Sequence, residues 1–211
     1  MKYKLAIFDF DGTLVDSFPF LLSTINELAG EHQFKSVSAA DIETLRGYDA
    51  RKILAYLGLP LWKAPAVMAS FKARMAGKIE QLSMFAGVGD MLSALSERGV
   101  LLSIVTSNSH DNVRRILTPQ NMELMVHHQC GTSLFGKRAK LKNILRRTCI
   151  HPGQAIYVGD EIRDLEAAHA EQIDFGAVSW GYTRVDALLM RSPTQLFNDI
   201  GDIVEKIVCA T

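Results

Sequence analysis

Residues 5–14 constrain the fold of this chain more than any other stretch, because they join an unbroken apolar run to two closely spaced acids. The apolar residues 5–8 predict a strand buried on both faces, as strands of parallel sheets are. Asp9 and Asp11 follow at a spacing of two, which in a strand places both carboxylates on one side, where they repel each other. Gly12 lets the backbone turn and lets a ligand come close. A bound hard cation, which takes oxygen ligands, would offset the repulsion.

Two interpretations of this acidic stretch are open. Asp-Gly is a common turn pair, so the acids could simply end a strand. Alternatively they form part of a ligand site, because open α/β sheets bind ligands just beyond the carboxyl ends of their strands. The second interpretation requires further polar clusters after other strands.

Length, composition and charge limit the class of protein. A chain of 211 residues with 48% hydrophobic content suits one domain, or one domain with a modest insert. The 23 basic and 23 acidic residues balance, so there is no basic field to attract nucleic acid. Cys130, Cys149 and Cys209 are far apart and lack CxxC spacing, which predicts reduced thiols. The short apolar run before Asp9 and the lack of any run near ~20 residues predict neither a signal peptide nor a membrane span. We therefore expect a soluble, cytoplasmic protein.

The order of predicted elements indicates the architecture. Residues 15–85 show the helical spacing i, i+3, i+4, with Ser17 predicted to cap the first helix, and contain no convincing strand. Strands and helices then alternate, which implies a parallel sheet with helices on both faces. Apolar strands are predicted at 100–105, 155–158 and 175–178. The expected fold is a doubly wound parallel α/β sheet formed by residues 1–15 and 86–211, with an all-helical cap inserted at 16–85.

Two further polar clusters follow predicted strands. Thr106, Ser107 and Asn108 come after the strand at 100–105, where a hydroxyl and loop amides can hold phosphoryl oxygens or merely cap a helix. Asp160 and Asp164 bracket the start of a predicted helix after the strand at 155–158. These acids could meet at the mouth of a site, or serve as a cap and a first-turn acid favoured by the helix dipole.

Taken in order, these motifs resemble those of the haloacid dehalogenase superfamily. The pattern Asp-x-Asp-Gly-Thr-Leu starts at Asp9, a hydrophobic strand ends at Thr106, and Gly-Asp-x-x-x-Asp contains Asp160 and Asp164. With a helical insert after the first motif, the chain is similar to the phosphoglycolate phosphatase and β-phosphoglucomutase branch. Three shorter segments are also similar to that branch: Asp16-Ser17, Leu45-Arg46-Gly47 and Phe85-Ala86-Gly87-Val88.

The resemblance implies a role for each acid. Asp9 would be the nucleophile and a metal ligand, and Asp11 the general acid/base, whose backbone carbonyl also binds the metal. Asp160 would be a further ligand of Mg²⁺, and Asp164 would act through the ligands or through water. Gly12, next to the second acid, would help to bind the phosphoryl group.

The remaining site residues follow from the same resemblance. Thr106 would bind the phosphoryl group together with Ser107 and Asn108, and a lysine would add positive charge. Lys137 lies at the family spacing, but Gly136-Lys137-Arg138 lacks the Lys-Pro pair common in subgroups. Lys140 is three residues further on and is not excluded, although a solvent-facing role is expected for it. Arg46 is a candidate substrate contact or, equally, a surface arginine before a glycine cap.

The predicted function is hydrolysis of a small phosphorylated metabolite by a Mg²⁺-dependent phosphatase, through an aspartyl-phosphate intermediate. A β-phosphoglucomutase-like phosphotransferase would use the same residues and is the alternative. A non-catalytic regulatory domain with a phospho-accepting Asp is a weaker alternative. Metal-independent dehalogenases lack an acid at the position of Asp11, so Asp11 counts against that activity. No nucleic-acid or membrane partner is expected, and the sequence leaves the substrate and the oligomeric state open.

Overall fold

A parallel six-stranded sheet forms the centre of the protein in the computed structural model, which describes residues 2–131 and 136–210. The strands are β1 Leu5–Phe8, β2 Leu101–Val105, β3 Met125–Gln129, β4 Ala155–Gly159, β5 Asp174–Val178 and β6 Gln195–Phe197. They are ordered β3-β2-β1-β4-β5-β6, and every neighbouring pair is parallel. The predicted doubly wound α/β fold is confirmed.

Helices precede or follow each strand of this sheet. After residue 86 the described helices are α5 Val88–Glu97, α6 His110–Ile116, α7 Pro119–Glu123, α8 Lys137–Thr148, α9 Ile162–Ala170, α10 Val185–Leu189 and α11 Ile200–Val208. Between β1 and α5 lie α1 Phe18–His32, α2 Ala39–Leu45, α3 Ala50–Tyr56 and α4 Ala64–Gly77. Short 3₁₀ helices occur at Leu61–Lys63, Ile79–Gln81 and Pro152–Gln154.

Strand β1 is buried on both faces, as its uninterrupted apolar sequence predicts. Leu5 and Ile7 belong to a cluster that includes Leu141 of α8. Ala6 and Phe8 point to the other face and join the larger cluster, which includes residues of α5. Because β1 pairs with β2 on one side and β4 on the other, it holds the residues after it at the middle of the sheet's carboxyl edge.

The helical segment after β1 has a small core of its own and also contacts the main one. Val37, Leu57 and Leu59 are buried together away from the sheet. The two connections to the rest of the chain lie side by side, since Asp16 N donates to Ser83 O over 3.0 Å. The predicted division into a core (1–15 and 86–211) and a cap (16–85) places its boundaries at this paired connection and stays a prediction.

Two local features differ from the sequence-based expectation. Ser17 does not cap α1 with its side chain; its backbone is helical and its hydroxyl lies 2.8 Å from the Tyr182 hydroxyl. A cap requires an extended backbone, so the predicted cap is wrong. Strand β6 was not predicted, because three residues are too few for a recognisable pattern and pairing with β5 positions them.

No single helix among the described residues is long and apolar enough to cross a membrane. Helix α3 and the stretch Leu61–Gly77 meet the length and composition criteria only as a pair, and that pair is bent by 104°. The three cysteines are free thiols.

Gly176→Ala is expected to destabilise the sheet. A Cβ at this position of β5 would lie 2.3 Å from Cε2 of the fully buried Phe197. Overpacking of this kind lowers the free energy of unfolding by about 1–3 kcal/mol. In a chain of this size, each kcal/mol lowers Tm by about 2–4 °C. The control is Gly30→Ala in α1, where no atom lies within 4 Å of the added Cβ. That change should leave Tm unchanged or raise it, and equal Tm values for both variants in thermal unfolding would contradict the packing described here.

Candidate active site

The predicted site residues lie together at the carboxyl edge of the sheet. Asp9 follows β1, Thr106 follows β2 and Asp160 follows β4. Because β1 lies between β2 and β4, all three side chains are brought to one place. The strand order reverses direction between β1 and β4, and ligands of doubly wound sheets bind at such a switch point.

Lys137 connects two buried acids. Its ammonium lies 2.8 Å from Oδ2 of Asp9 and also pairs with Asp164. All three side chains are almost completely buried. Burial lowers the pKa of Lys137, but Asp164 and Asp9 outweigh this and raise it above the ordinary value. The lysine therefore stays charged and holds a positive charge beside Asp9.

Asp164 is fixed in turn by its own partners. Its carboxylate accepts hydrogen bonds from the Tyr157 hydroxyl at 3.2 Å and from Glu161 N at 3.3 Å. Its pairing with the Lys137 ammonium helps to fix the position of that charge. The indirect role that the resemblance implies for Asp164 stays a prediction.

Lys140 is not solvent-facing, contrary to our expectation. Its ammonium donates to Thr106 O at 2.6 Å and to Gly131 O at 2.9 Å. Both lysines lie on the face of α8 that is turned toward the sheet, but they perform different tasks. Lys137 reaches Asp9, whereas Lys140 joins the backbone ends of β2 and β3 beneath the Thr106 loop.

Asp160 is fully buried and held at both oxygens. Thr13 Oγ1 donates to one oxygen at 3.1 Å, and Tyr182 N donates to the other at 2.7 Å. Gly12 has φ +74°, and a Cβ there would lie 2.3 Å from Oδ2 of Asp160. Glycine is therefore required at position 12 both for its backbone conformation and for the close approach of this carboxylate.

Four carboxylates form a cluster that suits a metal ion. One oxygen each from Asp9, Asp160, Glu161 and Asp164 can be chosen so that all lie within 4.8 Å of one another. Burial raises the pKa of Asp160, and the charges of Glu161, Asp9 and Asp164 raise it further. Buried acids that disfavour each other's ionisation are stabilised by a cation, and oxygen donors are the ligands that Mg²⁺ prefers. The residues present therefore fit the predicted metal.

The membership of this cluster differs from the predicted ligand set, since it includes Asp164, which was predicted to act only indirectly. Glu161 is added, and it also accepts from Arg163 Nε at 2.7 Å. The Asp11 carboxylate is absent from the cluster. Its predicted ligand atom is the backbone carbonyl, so its side chain is available for another task.

The Asp11 carboxylate pairs with Asn108. Asn108 Nδ2 donates to its two oxygens at 3.0 and 3.3 Å. The amide is oriented because its oxygen accepts from Ser109 N and from Asn112 Nδ2. Burial raises the pKa of Asp11, and the Asn108 hydrogen bond opposes this rise. An acid whose pKa lies above the usual range keeps its proton to higher pH, which suits a general acid.

The loop after β2 is held in one shape by internal hydrogen bonds. Thr106 Oγ1 accepts from Asn108 N at 2.9 Å, and Thr106 N donates to Gln129 O at 3.0 Å. Thr106, Ser107 and Asn108 are all buried. Their predicted contacts with a phosphoryl group stay predictions, and Asn108 has the additional partner described above.

Arg46 ties the helical segment to the core. Its guanidinium donates to Tyr182 O at 3.0 Å and to Gly181 O at 3.2 Å, and pairs with Glu43 at 3.0 Å. These bonds occupy much of its donor capacity. Its role as a substrate contact stays a prediction.

The loop at residues 179–183, after β5, was missed by sequence reasoning. Trp180 Nε1 donates to Thr13 O at 3.2 Å, and a Cβ at Gly181 would lie 2.0 Å from Cβ of Asp160. One signal in the sequence could have identified this loop. It follows the predicted strand at 175–178 and so lies at the same carboxyl edge of the sheet as the other motifs.

Comparisons with known proteins agree with this geometry. The family described as haloacid dehalogenase-like hydrolase matches residues 6–178. A phosphoglycolate phosphatase of Synechococcus elongatus is 32% identical over 205 residues, covering 97% of each chain. The tyrosine-protein kinase PtkA of Mycobacterium tuberculosis is 31% identical over 196 residues, covering 90% of this chain and 67% of the kinase.

Solved structures show the same fold. A putative phosphoglycolate phosphatase from Lactobacillus plantarum superimposes with a TM-score of 0.82 at 24% identity, covering 97% of this chain and 99% of its own. A haloacid dehalogenase-like family protein from Streptococcus pneumoniae has a TM-score of 0.78 at 21% identity, covering 97% and 98%.

Lys137→Ala is expected to lower kcat for p-nitrophenyl phosphate at least ~10²-fold, because a preorganised charge at a phosphoryl site is worth several kcal/mol. The control is Lys142→Ala on the same helix, whose side chain is exposed. That variant should retain the wild-type kcat. A Lys137 variant with kcat within threefold of wild type would contradict the assignment of the site lysine.

The stability contributed by Lys140 is expected to depend on pH. Burial, followed by the nearby charge of Lys137, lowers the pKa of Lys140 to about 8. An unfolded lysine titrates near pH ~10.4, so the folded state holds the proton less tightly. The stabilisation that Lys140 contributes is therefore fully present above pH ~10.4. It is lost as the pH falls toward about 8.

The test compares Tm of wild type and Lys140→Met at pH 7.5 and pH 10. The deficit of the variant should be larger at pH 10, whereas Lys142→Met should show no such trend. A deficit that is constant or shrinks with rising pH would contradict the lowered pKa.

Proposed function

The chain belongs to the haloacid dehalogenase-like hydrolase family and is a phosphatase, and we propose that it hydrolyses small phosphorylated metabolites through an aspartyl-phosphate on Asp9. The observation that carries the proposal is the contact between Asp9 and Lys137 at the switch point of the sheet. Burial raises the pKa of Asp9, and the Lys137 ammonium opposes this rise and so favours the ionised form, which is the form that attacks phosphorus.

In the first half-reaction, a carboxylate oxygen of Asp9 attacks phosphorus and the bond to the ester oxygen breaks. Asp11 donates its proton to the departing alkoxide, so the product leaves as an alcohol. The raised pKa of Asp11 supports this role. Lys137, the Thr106 hydroxyl and the adjoining loop amides are proposed to bind the phosphoryl oxygens as their charge spreads.

In the second half-reaction, water attacks the phosphorus of the aspartyl-phosphate. Asp11, now ionised, takes a proton from that water, and the bond between phosphorus and the Asp9 oxygen breaks. Inorganic phosphate is released, and both acids return to their starting states. Asn108 holds the Asp11 carboxylate in place throughout.

The metal is proposed to be Mg²⁺, held by Asp9, Asp160 and the backbone carbonyl of Asp11, with Glu161 beside it. When bound, it supplies positive charge to the oxygens of the transferring phosphoryl group. The four-carboxylate cluster and the raised pKa of Asp160 support this proposal.

Residues 16–85 are proposed to act as a cap over the substrate. The sulfur of Met75 on α4 lies 3.0 Å from Asn108 Nδ2, and Arg46 bonds to the loop that holds Asp160. The segment therefore contacts two catalytic loops at once. A cap in this position would keep bulk water from the leaving group.

Phosphoryl transfer to a second alcohol or to a protein hydroxyl is the alternative to hydrolysis. The same residues would serve it, as in the mutase interpretation, and one relative is named a tyrosine-protein kinase. The two reactions differ in their products. Equal amounts of inorganic phosphate and alcohol support hydrolysis, whereas a deficit of phosphate indicates transfer.

The substrate is proposed to be small, and 2-phosphoglycolate is the first candidate. Several relatives, including one that covers 97% of the chain, are named phosphoglycolate phosphatase. The free thiols support a reducing compartment such as the cytoplasm.

Asp9→Asn is expected to abolish turnover while the protein stays folded, because asparagine keeps the shape but removes the nucleophile and a charge at the metal site. The measurement is release of inorganic phosphate from 2-phosphoglycolate and p-nitrophenyl phosphate, together with far-UV circular dichroism. Turnover within tenfold of wild type would end the covalent mechanism.

The matched control is Asp90→Asn, an exposed acid in the first turn of α5. It should leave turnover unchanged. Wild-type activity is expected to be lost in EDTA and restored by Mg²⁺, and full activity in the chelator would contradict the metal proposal without touching the role of Asp9.

A further inference from the structure

Lys140 of α8 is a half-buried lysine whose two hydrogen-bond partners are backbone carbonyls. Its ammonium donates to Thr106 O at 2.6 Å and to Gly131 O at 2.9 Å. Burial, followed by the charge of Lys137, lowers the pKa of Lys140 to about 8. At neutral pH the side chain is therefore still protonated in most molecules, although its surroundings disfavour the charge. A charge that is kept at a cost in stability is explained if it serves the site.

The two carbonyls lie at the ends of neighbouring strands. Thr106 directly follows β2, and Gly131 lies shortly after β3. The same two ends are also joined by their backbones. Thr106 N donates to Gln129 O over 3.0 Å, and Gly131 N donates to Asn108 O over 2.8 Å. Lys140 therefore adds a third connection between these ends, and the loop after β2 cannot move away from β3 without breaking it.

The Thr106 carbonyl and the Ser107 N–H belong to one peptide group. An ammonium bound to the carbonyl oxygen polarises that peptide, which makes its N–H a stronger donor. The next two amides are used within the loop, since Asn108 N donates to Thr106 Oγ1 and Ser109 N donates to Asn108 Oδ1. Over residues 2–131 and 136–210, no oxygen accepts from Ser107 N. This N–H is therefore left to bind a ligand.

We propose that Lys140 is a positioning residue for phosphoryl transfer, and that its charge acts through the Thr106–Ser107 peptide on an N–H that binds the phosphoryl group. Its ammonium lies beneath the loop, against the two carbonyls, and so acts on the substrate only through the loop. Lys137, by contrast, pairs with Asp9 itself. The inference rests on the proposed phosphatase function and adds that turnover requires the charge at position 140.

The charge of Lys140 depends on pH. The titratable groups that act on its ammonium lie on α8, after β3, on α4 and after β1: Lys137, Cys130, Lys72 and Asp9. On α9, which packs against α8, Asp164 pairs with Lys137. Lys140 should lose its proton as the pH rises through about 8. The neutral amine can still contact the carbonyls but polarises them less, so turnover should fall over the same pH range.

The test compares kcat for p-nitrophenyl phosphate across pH 6 to 9.5 with saturating Mg²⁺. This ester has a good leaving group, so the proton of Asp11 contributes little to the profile. Wild type should lose activity as the pH rises through about 8. Lys140→Met should lower kcat about 10-fold at pH 7, because a donor is weakened and not removed, and should not show the loss near pH 8.

Two further variants separate charge from packing. Lys140→Arg keeps a positive charge over the whole range, so it should retain more activity than Lys140→Met, and its activity should not fall near pH 8. Lys142→Met alters an exposed lysine of the same helix and should reproduce the wild-type profile. A merely structural role for Lys140 would lower the activity of both Lys140 variants without changing the shape of either profile.

The inference alone would be overturned if Lys140→Met kept the wild-type alkaline loss, or if Lys140→Arg still lost activity near pH 8. Wild type decides the matter if neither variant folds. With isotope-labelled lysine Cε atoms, one NMR resonance should titrate at the pH where kcat falls, and a constant kcat between pH 7 and 9 would contradict the inference. If wild type released phosphate from neither p-nitrophenyl phosphate nor 2-phosphoglycolate, the proposed function would fall as well.

Discussion

The ion pair of Lys137 with Asp9 and Asp164 is the interaction on which the site depends. Parallel strands bring their carboxyl ends to one edge, and here that edge gathers three buried acids, Asp9, Asp160 and Asp164, and two half-buried ones, Asp11 and Glu161. Without compensating charge they would disfavour each other's ionisation. Lys137 relieves part of this repulsion at Asp9 and Asp164, and Arg163 does so at Glu161. A bound cation would relieve more, so charge balance and catalysis require the same arrangement.

The helical segment contributes to this electrostatic arrangement from the other side. Helix α4 brings the sulfur of Met75 to Asn108, whose amide holds Asp11. Arg46, directly after helix α2, donates hydrogen bonds to the loop that holds Asp160. The segment is thus more than a cover. Its contacts reach the loop whose Asn108 amide holds Asp11 and the loop whose Tyr182 amide holds Asp160.

Sequence reasoning succeeded where chemistry and local spacing coincide. The acid pair after a buried strand placed Asp9 and Asp11, and the motif after β4 placed Asp160 and Asp164. It was wrong where a side chain's partner is distant in sequence. Ser17 was predicted to cap a helix but bonds to Tyr182, which is 165 residues away. Lys140 was expected to face solvent but bonds to Thr106 O, 34 residues away. Nothing in the local pattern around either residue indicates such a partner.

The sequence by itself determined the fold class, the strands that carry the motifs and the identity of the acids, because hydrophobic periodicity and residue chemistry are local properties. The tertiary structure alone decided which lysine reaches Asp9, because Lys137 and Lys140 share one helix face and differ only in what lies opposite them. It also decided that the Asn108 amide holds the Asp11 carboxylate and that, among residues 2–131 and 136–210, the buried Lys72 ammonium has no hydrogen-bond partner. Those facts depend on how α4, α8 and the sheet pack together, and packing between distant segments leaves no periodic signal in one chain.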